Sequence, residues 1–263
     1  MTNPIELTVT RGKTAIITLN RPDKRNAFNR EMIDRLTDAF DLIAKNDDEV
    51  RVVVLRGAGD VFCAGGDLNW MRDAAGYTLD QNREDAEALA MMLYGLHTLP
   101  QMTIALVQGA AMGGGGGLVA ACDVAVAVKN TKFCFSEVKL GLTPATISPF
   151  VVKAIGPRWA RALFASAESF DANFAYQIGL VQYVVDSADE LGGMDEYLVK
   201  LGFGAAPGAI ADAKELVDDV AGKSITPGLM KDLAKRIAAR RASEEGQEGL
   251  TAFLEKRKPN WAE

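Results

Sequence analysis

The chain has a single histidine, His97, among its 263 residues, and only three cysteines. Cys63, Cys122 and Cys134 sit in apolar stretches without the paired spacing of a metal site, so no metal centre is expected. They read as small, reduced core residues of a cytosolic protein. Cys63 lies beside a Gly-Gly pair, but His97 is distant in sequence, and a cysteine nucleophile would lack a base. His97 itself is read as structural. No apolar run approaches the roughly 20 residues of a membrane span. The opening residues, Met1-Thr2-Asn3-Pro4-Ile5-Glu6, carry neither the basic nor the apolar segment of a signal peptide. A cytoplasmic protein without a membrane partner is therefore expected. Positive charge is not in excess: 29 Lys and Arg against 35 Asp and Glu give a net charge of −6. That argues against a nucleic-acid partner held by bulk charge. It leaves room for a small anion held by a few placed cations. Nucleotide-loop signatures are missing too. No G-x-x-x-x-G-K-[ST] occurs, and G-x-G-x-x-G fails where Leu118 replaces the last glycine.

What the chain has instead is glycine, 25 residues in all, with an unbroken run at 113–117. Residues 104–107 before it read as a buried strand, and residues 118–123 after it as the body of a helix. A flexible linker would be flanked by polar sequence, whereas this run is flanked by core. Glycine costs roughly 1 kcal/mol per residue in a helix relative to alanine, so helix propensity does not account for it. Tight packing and backbone N–H groups facing an oxyanion both remain. The second is the expectation carried forward.

Along the chain, residues 14–19, 50–55, 124–128 and 181–185 read as apolar strands. Met32, Ile33, Leu36, Phe40 and Ile43 mark one helix face, and Ala86, Leu89, Ala90, Leu93 and Leu96 another. This alternation predicts an α/β fold with a largely parallel sheet covered on both sides. Glycine-bearing loops follow its strands, where such sheets bind ligands. Arg21, Lys24 and Arg25 cluster in a turn that spacing alone reads as solvated. After Gly141, Pro144, Pro149 and Pro157 punctuate short helices, and from about residue 188 the chain reads as helical. The basic end, residues 255–261, reads as a solvated helix terminus.

Several stretches then point to one family. They are Leu19-Asn20-Arg21-Pro22-Asp23-Lys24-Arg25-Asn26-Ala27, Phe62-Cys63-Ala64-Gly65-Gly66-Asp67-Leu68 and Gln108-Gly109-Ala110-Ala111-Met112-Gly113-Gly114-Gly115. Ala121-Cys122-Asp123, Ser136-Glu137 with Leu140-Gly141, and Ala252-Phe253-Leu254-Glu255-Lys256-Arg257-Lys258 complete them. In this order they resemble the crotonase superfamily, the enoyl-CoA hydratase/isomerase fold. Asp67-Leu68-Asn69-Trp70-Met71 and residues 141–149 look most like bacterial 3-methylglutaconyl-CoA or isohexenylglutaconyl-CoA hydratases. The resemblance implies a spiral of ββα turns over residues 1–200 and a C-terminal helical trimerisation region over 201–263. It implies an acyl-CoA thioester as substrate, no cofactor beyond that CoA, and a homotrimer or dimer of trimers.

The chemistry this implies is a thioester enolate held by two backbone N–H groups, which fall on Gly66 and Gly114. Lys24, Arg25 and Ala27 align with contacts to adenine and phosphates, which overrides the plain-turn reading. Ala64, Asp67, Leu68 and Gly117 complete the expected CoA and acyl contacts. Lys256 aligns with a residue that reaches a neighbouring subunit's CoA, and Asp123 is expected to be structural. Typical hydratases of the family carry a pair of glutamates. One falls on Glu137; the other falls on Gly117, which has no carboxylate. The implied reaction is hydration of a 2-enoyl-CoA, with water held by Glu137 and backbone near Gly117. The alternative is a Δ3,Δ2-enoyl-CoA isomerase that shuttles a proton on one glutamate. A non-catalytic CoA- or RNA-binding relative is a further alternative. RNA-binding relatives use a lysine-rich helix, whereas residues 30–46 set Arg30, Arg35 and Lys45 against Glu31, Asp34, Asp38 and Asp41. Phe133, Phe135, Val138 and Leu140 are expected to shield Glu137 and raise its pKa.

Overall fold

The computed structural model describes residues 3–10, 12–46 and 49–262. Its strands are β1 (Ile5–Val9), β2 (Thr14–Leu19), β3 (Val52–Gly57), β4 (Met102–Val107), β5 (Ala110–Met112), β6 (Val124–Val128), β7 (Lys132–Cys134), β8 (Phe170–Asp171) and β9 (Tyr183–Val185). The helices up to the last strand are α1 (Arg30–Lys45), α2 (Leu68–Ala74), α3 (Leu79–His97), α4 (Gly114–Ala121), α5 (Ser148–Ser166) and α6 (Ala172–Gln177). Four more close the chain: α7 (Glu190–Gly204), α8 (Pro207–Val220), α9 (Pro227–Ala242) and α10 (Glu244–Glu255).

The main sheet runs β1-β2-β3-β4-β6-β9, and β5-β7-β8 form a smaller one. In the main sheet only β1 runs antiparallel to its neighbour; the other pairings are parallel. Side chains alternate across it. Ile17, Val53, Leu55, Ala105, Val107 and Ala125 enter one core with α1, α3 and α4. Val52, Val54, Ile104, Leu106 and Val126 enter a second, closed by Leu198 of α7. Both faces are buried, which is why these strands are continuous apolar runs. No helix among the described residues is long and apolar enough to cross a membrane.

Four local expectations change. The third strand begins at Val52, and the buried Arg51 just before it sends its side chain to the C-terminal segment. Its guanidinium donates to the carbonyls of Ala205 (2.8 Å) and Trp261 (3.2 Å) and lies 5.3 Å from the Phe203 ring centre. The basic C-terminal stretch is a solvated helix end only in part: Lys256, Arg257 and Lys258 are exposed as expected, but after the left-handed turn at Lys256 the chain folds back so that Trp261 meets Arg51. The short helices around Pro149 and Pro157 are two arms of α5, bent at Gly156 (φ 73°). Finally, α4 starts at Gly114, so most of the glycine run is helical rather than ahead of the helix.

Asp123, at the end of the turn after α4, is structural as expected. Its carboxylate accepts from the Thr103 amide (2.8 Å), the Thr103 hydroxyl (2.9 Å) and Lys214 Nζ of α8 (2.7 Å). It ties the start of β4 to the C-terminal helices. Asp123→Ala should cost about 2–4 kcal/mol, because it strands the Thr103 amide and a partly buried lysine. Chemical denaturation checks the loss, and amide exchange in α8 should rise more than in α1.

Candidate functional site

The site grows from the loop between β2 and α1. Arg25 and Asn26 adopt left-handed backbone conformations (φ 51° and 54°), and the fully buried Asn26 side chain fixes them. Its Oδ1 accepts from the Arg21 amide (2.8 Å), and its Nδ2 donates to the carbonyls of Ala58 (2.9 Å) and Val61 (2.7 Å). The Ala64 amide donates to the Arg25 carbonyl (3.0 Å), which staples this loop to the one after β3. Arg21 donates to the Ala27 carbonyl (2.6 Å) and to Asp67 (2.8 Å). Asp67 in turn caps α2 by accepting from the Asn69 amide (2.8 Å). Burial works to raise the Asp67 pKa, but the Asn69 and Trp70 amides and the Arg21 guanidinium outweigh it and hold the carboxyl below its ordinary value.

These bonds shape a cleft of about 460 Å³. Lys24, Arg25, Ala27, Ala64, Gly66, Asp67 and Leu68 all line it, joined by Asn69 and Arg72. Arg72 was not singled out from the sequence. Asp67 contributes as a cap and ion-pair partner, its carboxylate already committed. Lys256 lies apart from the cleft lining.

Backbone pairing sets the donors. The Phe28 amide donates to the Gly65 carbonyl (2.7 Å), and the Asp67 amide donates to the Phe28 carbonyl (2.7 Å). This parallel bridge uses the groups on either side of Gly66, so the Gly66 N–H points the opposite way. A second bridge, Cys63 to Ala111, lays the same loop along β5, just ahead of α4. Gly114 is the first residue of α4, and its N–H has no intrahelical acceptor. Among the described residues neither amide meets an acceptor.

Glu137 opens a short helical turn after β7. The Gly113 amide donates to the Cys134 carbonyl (2.9 Å), drawing that turn against the start of α4. A Cβ on Gly113 would sit 3.1 Å from Glu137 Oε1, and the φ of 49° favours glycine there. Glu137 Oε2 is buried with no hydrogen-bond partner among the described residues. Burial pushes its pKa above the ordinary glutamate value, against the opposing pull of its own backbone amide. Phe133 and Phe135 are buried as expected, but Val138 and Leu140 are exposed.

The glycine run is explained mostly by packing. Cβ atoms at Gly114, Gly115, Gly116 and Gly117 would press on Phe28 (2.9 Å), Cys63 (2.8 Å), Phe135 (2.9 Å) and Ile147 (2.5 Å) respectively. Gly117 is also buried, and its amide donates to the Gly113 carbonyl (3.1 Å). The Gly117 amide is therefore not itself a free donor for a water. Cys63 is fully buried and its thiol is pushed up to about 12, so it is no nucleophile. His97 is away from the cleft, 3.0 Å from Asp218 of α8 and packed edge-on against Phe150. A hollow of about 530 Å³ lies beside it under α8. Its polar groups engage one another: Lys153 and His97 meet Asp218, and Lys214 meets Asp123. The smaller cleft is lined by Gly66, whose amide is unpaired, and is the better site.

Sequence reasoning missed Asn26, Phe28 and Ile147 as builders of this site. Asn26 carried a signal, since asparagine is the non-glycine residue best suited to a left-handed turn. Phe28 and Ile147 look like any core residue.

Comparison with known proteins gives one result. The family described as Enoyl-CoA hydratase/isomerase matches residues 10–263. A Legionella pneumophila crystal structure, described provisionally as an enoyl CoA hydratase/isomerase (crotonase), is 45% identical with a TM-score of 0.92, covering 99% of this chain and 100% of that one. The 2,3-dehydroadipyl-CoA hydratase of Escherichia coli K12 is 33% identical over 263 residues, 97% of this chain and 98% of its own. The crotonyl-CoA hydratase of Syntrophomonas wolfei is 30% identical over 260 residues, 95% and 94%.

Glu137 should carry a pH-dependent stability cost. With its folded pKa raised, the folded protein holds a proton that the unfolded chain has lost, over the interval between the ordinary and raised values. Stability is then full below that interval and falls as pH rises through it. Glu137→Gln, neutral throughout, should match the parent in acid and melt higher at neutral pH. Thermal melts across the acid-to-neutral range check this, and a parallel pair of curves would contradict it.

Proposed function

Because the chain belongs to the enoyl-CoA hydratase/isomerase family, we propose that this enzyme catalyses reversible hydration of a 2-enoyl-CoA. A branched glutaconyl thioester, 3-methylglutaconyl-CoA or isohexenylglutaconyl-CoA, is the proposed substrate class. The observation that carries the reaction is the buried, unpartnered Glu137 Oε2 at the end of α4 where the Gly114 amide is free.

In this reading the thioester oxygen lies between the N–H groups of Gly66 and Gly114. They hold the charge that develops as the enolate forms, and the N-terminus of α4 adds to them. Donors of this kind are worth about 3 kcal/mol each in related acyl chemistry. Glu137 takes a proton from water as the oxygen bonds to C3 and the C2–C3 π electrons move onto the thioester. It then returns the proton to C2 as the enolate collapses. A carboxylate with a raised pKa can both accept and return a proton near neutrality. No cofactor beyond the substrate's CoA is needed. Lys24, Arg25 and Arg72 would take the CoA phosphates at the cleft mouth. The hydratase names of the Escherichia coli and Syntrophomonas relatives support hydration.

Ile147, packed over Gly117, favours a second reading. With no second group there to hold water, the same machinery would serve a Δ3,Δ2-enoyl-CoA isomerase. Solvent ¹⁸O separates the two. Incorporation into a 3-hydroxyacyl-CoA supports hydration, and conversion of a 3-enoyl to a 2-enoyl thioester with no oxygen gained makes isomerisation the activity. In either case Glu137→Gln should lower kcat by roughly 10²–10⁴-fold while leaving CoA affinity intact. Full activity in that variant would refute the assignment of Glu137.

The proposed assembly is a homotrimer or a dimer of trimers. It is supported by apolar side chains left uncovered on the last two helices, among them Ile237 at 56%, Phe253 at 81% and Leu254 at 78% exposure. Such a patch calls for a partner surface. Lys256, at the end of α10, would then reach a neighbouring subunit's CoA. Light scattering at micromolar concentration should give three or six chains, and a monodisperse monomer would refute the assembly.

A further inference from the structure

Position 117 is where the family resemblance puts a second glutamate. The Gly117 amide donates to the Gly113 carbonyl (3.1 Å), which places the two residues one helical turn apart. Glu137 Oε1 lies 3.1 Å from where a Cβ on Gly113 would be. Helical side chains lean toward the N-terminus, so a side chain at 117 would lean back toward Gly113 and the glutamate. The place of its first carbon is filled. A Cβ at 117 would fall 2.5 Å from Cγ2 and 3.0 Å from Cβ of Ile147, with Leu93 Cδ1 at 3.4 Å. Ile147 is 1% exposed and Leu93 fully buried. The Ile147 carbonyl accepts from the Val151 amide (3.1 Å), so its backbone is fixed to the first turn of α5. A β-branched side chain on a fixed backbone has little rotamer freedom with which to yield.

We propose that Ile147 is a positioning residue for the reaction: it closes the place of a second carboxylate with an aliphatic wall and keeps Glu137 as the lone proton carrier. The inference rests on Glu137 being the acid/base of an acyl-CoA reaction. A glycine at 117 would by itself leave a gap open to water or to a longer side chain. Ile147 removes the gap, so the one-carboxylate character of the site belongs to the pair and not to Gly117 alone. It also follows that restoring a glutamate at 117 fails unless Ile147 is shortened with it.

The test uses two pairs of variants. Gly117→Ala should lower Tm by on the order of 5 °C through overpacking in the native background, and by much less beside Ile147→Ala. Equal losses in both backgrounds would overturn the proposal. Next, Gly117→Glu combined with Ile147→Ala is titrated by NMR of ¹³C-labelled glutamate carboxylates, with Ile147→Ala alone as reference. The Glu137 resonance should titrate at higher pH in the combination, because a like charge now stands beside it. The pH–rate profile should gain a second ionisation. An unmoved Glu137 resonance would overturn the proposal, since a purely structural Ile147 would alter Tm and leave that titration alone. If the parent enzyme turns over no CoA thioester, the proposed function fails, while the melting and titration arms still decide the role of Ile147.

Discussion

Two isolated backbone bridges, Cys63 to Ala111 and Phe28 to Gly66, hold the site together. Each is only a pair of hydrogen bonds, yet between them they join three loops that are remote in sequence. The loop after β2, the loop after β3 and the turn into α4 become one surface. Without the first bridge the two glycine loops would have no fixed distance, and without the second the Gly66 amide would have no fixed direction. Both bridges rely on the main sheet, which presents these loops at one end because its neighbouring strands run parallel. The six-stranded sheet is thus a rigid frame, and the bridges transfer its rigidity to amides that must point at nothing in the protein.

Free donors need neighbours that come close without satisfying them, and this is the physical role of α4. Glycine weakens a helix, and the run at its start is costly by propensity. The cost is offset because Phe28, Cys63, Phe135 and Ile147 press directly on the helix backbone, at separations no side chain would permit. Close packing around its first turn fixes the helix, while its first amide points along the axis beyond the turn and stays unpaired. The oxyanion reading and the packing reading of the glycines are therefore not rivals. The same backbone surface can serve both.

The frame was legible in the sequence because a parallel sheet buried on both faces leaves long apolar runs, and α1 and α3 carry clear apolar stripes. The short strands β5 and β8 were not, since three residues or fewer give no period to detect. The site was legible only as a set of motifs. Lys24, Arg25, Ala27, Ala64, Gly66, Asp67 and Leu68 do converge on one cleft. What motif spacing could not supply was which polar groups were already engaged. Asp67 is held by Arg21 and by its cap, and the Gly117 amide by Gly113. Engagement depends on contacts between segments far apart in the chain, and sequence patterns are blind to it. Ile147 shows the same limit from the apolar side, for nothing local distinguishes it from other core isoleucines.

The two ends of the proposed ligand would be held by different physics. Lys24, Arg25 and Arg72 are exposed at the cleft mouth, where solvent and salt screen charge within about 10 Å at 0.1 M ionic strength. Their hold on phosphates would weaken as salt rises, and they contribute mainly to capture. At the other end Glu137 is desolvated, and the amides of Gly66 and Gly114 are fixed before any ligand arrives. Interactions there are weakly screened and need no reorganisation, so they can favour the charge that develops during reaction over the charge already present. Capture and chemistry are thereby separable in this fold. Salt should act on the first, through KM, and leave the second, kcat, nearly untouched.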